Sequence, residues 1–529
     1  MINIEYVKFT ILEKNHDQAF NNDNFNVLNP KSDLEADIAN ITHLGNSFNG
    51  YNLFVLEKRN KEATKILDRF LIITDMNGKI ILRRNISISF GLSYNSAEFI
   101  NSTTILYGSP NATLWNLETN KTLELDFYGH HELEYNPINK TIFTFAFEIL
   151  EYNGTEYGYD RIMEYNLSGS LVWSLNTTFI FYDQWCPFQD LLPKGIPDIT
   201  HSNSIFFDAE EDLLYYNSKT TNTFYEINHK TKQIVWGIGE YGNYTLFDKN
   251  GNKKHCLWYH SHAVEKINKN CFILFDNDIH NQTNSENFRS RILEIVIDRE
   301  TMTANESWFW LGSEEYYSGF WGDADLLPNQ NRLGTFGTPK HIDSSIGARL
   351  VEINDTGNIV WEMNYPHTEL YSYGIYKCER FCSSPILSSP SDLFTLEGSN
   401  VVIKWQTWYN FRAKKKINGS YALYLNGLQI KTGIHTFDKF WLSSNLTVNL
   451  GLLEVGDYNL TIYLSDEGGH KTIDSLKLFV NSSSSPSSSI ATRAGITCFL
   501  SVRIVGLGLF VFLKRKIRFR FRISSLKSI

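Results

Sequence analysis

The segment RIMEYNLSGSLVW, residues 161–173, shows the pattern that decides the fold. An apolar run leads into a short turn containing Asn, Ser and Gly, and a second apolar run then ends in Trp. Two apolar runs joined by a turn of this composition are typical of a β-hairpin. Two further copies, at 223–236 and 349–361, keep both the turn and the terminal Trp. The hairpin is therefore a repeat.

Six copies of the hairpin can be found along the chain. They end at Leu82, Leu125, Trp173, Trp236, Trp310 and Trp361. Spacings of about 40–75 residues suit the four-stranded blades of a propeller, with insertions in the longer repeats. The repeat predicts an all-β fold with a six-bladed β-propeller over residues 31–383, preceded by an N-terminal segment, 1–30. The alternative is an ordinary β-sandwich with unrelated hairpins.

The pattern changes after Pro385. A Ser/Pro-rich stretch, SSPILSSPSD (383–392), reads as a linker, and alternating strands such as NVVIKWQTW (400–408) and GDYNLTIYLSD (456–466) follow it. Short strands separated by turn signals over about ninety residues predict an Ig-like β-sandwich at 384–481. It lacks the Cys…Trp…Cys core of true immunoglobulin domains. We expect it to serve as a spacer.

The composition limits the function classes. The 529 residues are 42% hydrophobic, 14% aromatic and 20% charged, which excludes wholesale disorder. The formal net charge of −9 does not favour a nucleic-acid groove. The six cysteines include no CxxC pair, so a zinc or thioredoxin-like motif is not indicated.

The C-terminal end has the features of a membrane anchor. A Ser-rich stalk (482–495) precedes an apolar run (496–513) and a basic tail (514–529). The order predicts a transmembrane helix with a cytoplasmic tail, which places the propeller and the Ig-like sandwich outside the cell. Arg503 inside the run opposes insertion by about 2.5–3.5 kcal/mol. The alternative is a basic amphipathic tail that lies on a membrane or binds a partner.

The remaining signals on localisation disagree in part. The first 17 residues contain no apolar stretch of a signal peptide. About seventeen Asn-x-Ser/Thr sequons occur, for example at Asn153 and Asn459, which suits a glycoprotein. An Asn-rich composition would also raise that number. We expect a single-pass protein of the cell membrane with an extracellular globular part.

Histidines precede predicted strands at three places in the propeller. They are His130 with His131, His201, and His260 with His262. If these strands are the innermost strands of their blades, the histidines converge on the central channel. Two hypotheses follow: a transition-metal site of neutral histidines, or a cationic pocket in which one histidine is a nucleophile.

The stretch from 198 to 317 resembles the 3′-phosphoadenylylsulfate-independent arylsulfotransferase family. The matching pieces, in order, are THSNSIFF, YNSK, QIVWGIGE, HSHAVEKINKNCFILFDND and RSRILEI, and the resemblance extends over about residues 70–380. The resemblance implies that aryl sulfates and phenols are the substrates and that no cofactor or metal is needed. The sequence also contains no GxxxxGK[ST] loop for a nucleotide donor.

The resemblance also implies roles for individual residues. His262 matches the histidine that carries a transient sulfuryl group, and His201 with Asn203 matches a pair that holds sulfate oxygens. His130 or His131 matches a histidine near the phenol oxygen, and the sequence does not choose between them. His260 is expected to line the same site.

Lys219 stands where the family has arginine, and a lysine offers a point charge in place of a planar fork. Arg291 matches a Ser-Arg segment and is expected to be structural.

Two further functions compete with sulfuryl transfer between phenols. One is a non-catalytic cell-surface propeller that acts as a binding or adhesion module, and the replacement by Lys219 favours it. The other is a quinoprotein-like propeller, which lacks a convincing acidic metal cluster in the sequence.

Overall fold

The computed structural model describes residues 39–62, 64–88, 96–108, 111–181, 183, 191–278, 289–338 and 346–482. These residues form strands, turns and two short 3-10 helices, Pro193–Gly195 and Glu314–Tyr316. No α-helix occurs among them. The predicted all-β fold is confirmed.

Six antiparallel sheets make up the larger part of the molecule, and each has a core of four strands. We call the first-named strand of each sheet its inner strand. The strands are Tyr371–Phe381, Tyr51–Asn60, Ile66–Thr74 and Ile80–Asn85 in the first sheet; Ala97–Asn101, Thr104–Gly108, Ala112–Asn116 and Lys121–Glu124 in the second; His130–Asn136, Thr141–Tyr152, Thr155–Asn166 and Leu171–Asn176 in the third; Ser202–Asp208, Leu213–Ser218, Thr223–Asn228 and Ile234–Gly239 in the fourth; His262–Asn268, Cys271–Asp276, Arg291–Asp298 and Thr303–Leu311 in the fifth; and Asp323–Leu326, Arg332–Phe336, Ile346–Ile353 and Ile359–Pro366 in the sixth.

A few short strands extend these sheets. Thr245–Phe247 and Lys253–Lys254 continue the fifth sheet, and Asn40–His43 pairs with the outer strand of the sixth. Leu191–Leu192 and Ile196–Pro197 form a small separate ladder.

The repeated hairpin forms the outer two strands of each sheet. In the third, fourth and sixth sheets the terminal Trp pairs with a glutamate of the preceding strand: Glu164 with Trp173, Glu226 with Trp236, and Glu352 with Trp361. A register shift follows the Glu–Trp pair in each of the three. The same sequence signal therefore produces the same register, and the predicted hairpins are confirmed.

The six inner strands lie in a closed ring. Each contacts the inner strand of the next sheet, and Tyr371–Phe381 contacts both Asp323–Leu326 and Ala97–Asn101. Tyr371–Phe381 also pairs with Tyr51–Asn60, so the start and the end of this region share one sheet. This pairing closes the ring by hydrogen bonds between strands about 320 residues apart in sequence.

Two further sheets, here called the C-terminal sheets (residues 386–481), follow the ring. Their strands are Ile386–Ser388, Asn400–Trp408 and Ser444–Leu452 in one, and Leu393–Leu396, Lys471–Asn481, Gly456–Ser465, Ile417–Leu425 and Leu428–Phe437 in the other. Trp405, Leu423 and Leu478 are buried between them. The predicted Ser/Pro linker thus contributes strand Ile386–Ser388, because its Ile and Leu pair with Asn400–Trp408.

Several predictions concern the two ends of the chain, which lie outside the described residues. They are the N-terminal segment, the Ser-rich stalk, the apolar run 496–513 and the basic tail. Within the described part of the chain, no helix has the length and apolarity needed to cross a membrane.

Candidate active site

The predicted histidines lie at the starts of three neighbouring inner strands. His130 and His262 begin theirs, and His201 immediately precedes Ser202–Asp208. His131, His201 and His260 have φ angles of 60°, 37° and 57°, and Trp321 before the sixth inner strand has 62°. A non-glycine residue in this region costs about 1–3 kcal/mol, and such residues cluster at functional sites. The same positive-φ conformation therefore recurs near the start of the inner strand in four consecutive sheets.

His262 is held in one tautomer by Asn277. The Asn277 amide nitrogen donates to the carbonyl oxygens of Ser318 and Trp321 at 2.7 and 2.8 Å, which turns its Oδ1 toward His262 Nδ1 at 2.7 Å. Because that oxygen can only accept, Nδ1 carries the proton and the lone pair lies on Nε2. Burial, followed by the charge of Lys219, lowers the pKa of His262 to about 3. At neutral pH the side chain is an uncharged imidazole with an available nitrogen.

His131 and His130 occupy different environments. The His131 ring lies 5.4 Å from that of His201 and 6.0 Å from that of Tyr376, between centroids. His130 lies behind it, with Nδ1 at 2.7 Å from His131 Nδ1 and Nε2 at 3.0 Å from an Asp160 carboxylate oxygen. His131 is therefore the member of the pair that faces the other histidines.

Positive groups crowd His131. Burial, and after it the charges of His130, His201, His262 and Lys219, hold the pKa of His131 well below its usual value. Lys219 is itself buried, in the turn after strand Leu213–Ser218. The cluster of His131, His201, His262 and Lys219 thus forms a buried pocket of potential cations. Such a pocket favours an anion.

His201 is fixed by the segment just before its strand, and Asn203 is fixed by the neighbouring strand and by the segment before His262. His201 Nδ1 lies 2.8 Å from an Asp198 carboxylate oxygen, which makes that nitrogen the donor. The Asn203 amide nitrogen donates to Ser261 O at 2.9 Å, and its oxygen accepts from Asn217 at 2.8 Å. Asn203 therefore holds the segment just before His262, which is a positioning contact.

His260 is also buried, two residues before His262. Its backbone N–H donates to Asn222 Oδ1 at 2.8 Å, which anchors the turn that leads into His262. Arg291 forms ion pairs with Asp276 at 2.8 Å and Glu306 at 3.1 Å, as suits the structural role expected of it.

Two aromatic residues complete the cluster. The Tyr376 ring lies 5.8 Å from the His262 ring and 5.9 Å from the Trp321 ring, and its hydroxyl donates to Asn203 O at 2.7 Å. Tyr376 and Trp321 come from the first sheet and from the segment before the sixth inner strand. Neither was expected from the sequence.

The residues that hold the histidine rings, Asn277, Asp198 and Asp160, were not expected from the sequence either. Asn277 stands inside the quoted FDND sequence, which was the one available signal. Among the described residues, no group of three or more His, Cys, Asp or Glu side chains could hold a metal ion. The site is a histidine- and lysine-lined pocket with an aromatic wall, inside a ring of antiparallel sheets.

Comparison with protein-family models shows the family of this chain. The model described as Arylsulfotransferase (ASST) matches residues 61–377, which include the six inner strands except the end of the last. The chain belongs to the arylsulfotransferase family, and at the level of the family it is a sulfotransferase. No curated protein matches the chain.

The solved structures that match are distant. The extracellular domain of a hybrid two-component system from B. thetaiotaomicron is 11% identical, with 83% of this chain and 58% of that chain covered and a TM-score of 0.28. The dihydro-heme d1 dehydrogenase NirN is 10% identical, with 65% and 82% covered and a TM-score of 0.28. Hydrazine synthase of Kuenenia stuttgartiensis is 9% identical, with 61% and 78% covered and a TM-score of 0.28.

Proposed function

We propose that the protein is an aryl-sulfate sulfotransferase that moves a sulfuryl group from an aryl sulfate to a phenol through a sulfohistidine at His262. The observation that carries the proposal is the Asn277–His262 hydrogen bond. It leaves Nε2 of a neutral imidazole as the nucleophile, inside a pocket that also contains Lys219 and His201. The six sheets are proposed to be the blades of a β-propeller over residues 31–383, and the C-terminal sheets an Ig-like sandwich over 384–481.

In the first half-reaction, the Nε2 lone pair of His262 attacks the sulfur of the aryl sulfate. The N–S bond forms as the bond from sulfur to the phenolic oxygen breaks, and the phenolate leaves with the bonding pair. The transition state resembles that of phosphoryl transfer, in which positioning and cationic donors on the non-bridging oxygens supply most of the catalysis. His201 and Lys219 are the proposed donors.

His131 is the proposed acid and base. Its pKa is low in the free protein because the ring is removed from water and, after that, because of the positive charge of neighbouring His and Lys side chains. A bound sulfate cancels part of that charge, so His131 takes up a proton when the donor binds. It then gives this proton to the leaving phenolate. In the second half-reaction it accepts the proton of the acceptor phenol, whose oxygen attacks sulfur and breaks the N–S bond.

The experiment compares wild type with His262→Gln on a chromogenic aryl sulfate and a phenol acceptor. His435→Gln is the matched control, because His435 is buried in the C-terminal sheets. Acceptor-dependent phenol release is expected in wild type and in the control. We expect it to be lost in His262→Gln, by about four orders of magnitude or more for a covalent nucleophile.

Intact-mass analysis after donor alone should show one added SO3 group in wild type and none in His262→Gln. Equal turnover by wild type and His262→Gln would remove His262 as the nucleophile. Absence of turnover by wild type over a panel of aryl sulfates would leave the non-catalytic binding module.

We further propose that the globular part lies outside the cell, anchored by residues 496–513. The sequons and the order of stalk, apolar run and basic tail support this. A mobility shift after deglycosylation, and release into the medium on truncation after residue 482, would test it. Retention of the truncated protein inside the cell would contradict it.

A further inference from the structure

Acidic side chains follow the histidine positions along the inner strands, on the side toward the C-terminal ends of these strands, here called the acidic end. They are Glu98, Glu132, Glu134, Glu265, Asp323, Asp325 and Glu379, and all except Glu265 and Glu379 are buried. A buried carboxylate is costly unless it is paired or protonated. The ring of inner strands therefore needs positive charge at this end.

The C-terminal sheets supply much of that charge from two loops, 409–416 and 438–441. Lys414 forms ion pairs with both Glu98 and Glu134. Arg412 pairs with Asp325 at 2.9 Å, contacts Glu265, and donates to Lys266 O at 2.8 Å. These two cations thereby contact the inner strands of the second, third, fifth and sixth sheets.

The second loop adds a cation and an apolar seal. Lys439 pairs with Asp208, at the end of the inner strand of the fourth sheet. The Phe440 ring lies 5.1 Å from that of Phe206, and the Trp441 ring lies 5.5 Å from that of Phe48. Apolar contacts therefore flank the charged ones.

Little space remains between the loops and the strands. The cavity lined by Glu98, Glu132, Glu134, Asp325, Arg412 and Lys414 has a volume of about 40 Å³. Pockets for drug-sized ligands are roughly 300–1,000 Å³, so this cavity holds a few water molecules at most. This cavity is too small for a phenol or an aryl sulfate.

The acidic layer is close to the histidines. Lys377, next to Tyr376, forms an ion pair with Glu132, next to His131. Glu134 follows His131 by three residues, which is about 10 Å along a strand. Unneutralised negative charge in this acidic layer would therefore act on an anion bound at the histidines.

We propose that the C-terminal sheets are a charged plug that completes the sulfotransferase site. Arg412, Lys414 and Lys439 close the acidic end of the ring, so that both substrates use the histidine end, and they cancel the carboxylates that would repel a sulfate. The closure stands on the contacts alone, whereas the effect on sulfate rests on the proposed function. A spacer would need none of these contacts.

Lys414→Met tests the plug, and Lys415→Met is the matched control. Lys415 is the next residue of the same loop, and its side chain donates to a backbone carbonyl oxygen, that of Pro137, at 3.3 Å. Hydrogen exchange followed by mass spectrometry should show at least tenfold faster exchange in 409–416 and in the inner strands of the second and third sheets for Lys414→Met. The control should match wild type.

Lys439→Met is a milder second variant, because Asp208 keeps Lys266 at 2.8 Å. It should fold even if Lys414→Met does not, with faster exchange confined to 438–441 and the inner strand of the fourth sheet. Wild-type exchange in both Lys414→Met and Lys439→Met would overturn the plug.

Steady-state kinetics of Lys414→Met test whether the plug cancels carboxylate charge that would repel the sulfate donor. Loss of one charge about 10 Å away at an effective dielectric constant near 20 predicts an increase of about fifteenfold in the donor KM. The KM for a neutral phenol should change less than twofold. An unchanged donor KM beside faster exchange would overturn the electrostatic part alone. Inactive wild type would refute the proposed function, while hydrogen exchange would still decide the plug.

Discussion

The two ends of the inner strands use charge in opposite ways. At the histidine end, His262 is buried and His131 is half-buried near Lys219, and the pKa values of both histidines are lowered. At the acidic end, Glu134 is buried beside Glu98, and its pKa is raised to about 8 by burial and by that neighbour, although Lys414 opposes the shift. Burial favours the neutral form in both cases.

The difference lies in what neutralises each end. The acidic end is satisfied within the chain, because Lys377, Arg412 and Lys414 form its ion pairs. The histidine end has an excess of potential positive charge, and an external anion is the natural complement. The same ring of strands thus has one end built for stability and one for a ligand.

The largest expected effect on kcat comes from removing the hydrogen bond that fixes the tautomer of His262. In Asn277→Leu, His262 Nδ1 loses its acceptor, so the proton can move to Nε2 and block the nucleophile. We expect kcat to fall about 10³-fold or more, by analogy with other enzymes whose catalytic histidine is held in the wrong tautomer. Stopped-flow phenol release measures the rate, and 15N shifts of the His262 ring report the tautomer.

Asn217→Leu is the control, since Asn217 contacts Asn203 and Ser261 but does not hold His262. A smaller loss of kcat with an unchanged tautomer is expected there. Wild-type kcat in Asn277→Leu would show that the Asn277 contact does not set the nucleophile.

A buried ion pair near the acidic end should affect stability and leave the chemistry intact. Arg380 lies in the inner strand of the first sheet, is 2% exposed, and pairs with Glu352 at 3.0 Å. Arg380→Met leaves Glu352 buried without that partner, so the free energy of unfolding should fall by about 3–5 kcal/mol. Urea unfolding measures the loss, and kcat of the folded fraction should stay within about twofold.

Lys404→Met, on an exposed position of the C-terminal sheets, is the control and should change stability by less than about 0.5 kcal/mol. Equal stability of Arg380→Met and wild type would mean that Glu352 is neutralised in another way.

The smallest effect is a pH dependence at Glu134. Its pKa is raised in the folded state, so the folded protein keeps a proton that the unfolded chain releases between pH 4.5 and about 8. The stability of wild type should therefore fall as pH rises through this window. Glu134→Gln removes the titration, and relative to wild type it should gain about 3.5 kcal/mol between pH 5 and pH 8.

Urea unfolding of both proteins at several pH values would show the gain. Parallel curves for wild type and Glu134→Gln would mean that Glu134 is ionised throughout. In that case the acidic end would hold Glu134 as a carboxylate fully neutralised by its ion pair.

Much of the fold could be predicted because its signals are local. A turn containing Asn, Asp or Gly recurs in the hairpins, and four of the six end in Trp. The third, fourth and sixth sheets share one Glu–Trp register. The histidines were predicted at the starts of inner strands for the same reason, since each precedes an apolar run in its own segment.

The parts that were missed depend on distant partners. Tyr376 reaches the site because strand Tyr371–Phe381 pairs with Tyr51–Asn60, and no local pattern encodes that pairing. The choice between His130 and His131 also needed the fold, because Asp160, about thirty residues away, holds His130 behind the site. The loop that carries Arg412 and Lys414 reads as an ordinary turn until the carboxylates opposite it are known.

The repeat, the all-β class, the arylsulfotransferase resemblance and the residue types of the site follow from the amino-acid pattern alone. The folded arrangement was needed to find which histidine faces the pocket, which nitrogen of His262 carries the lone pair, and where the C-terminal sheets dock. The physical reason is that periodicity and turn chemistry act over a few residues, whereas tautomers, pKa values and ion pairs depend on groups that folding brings together.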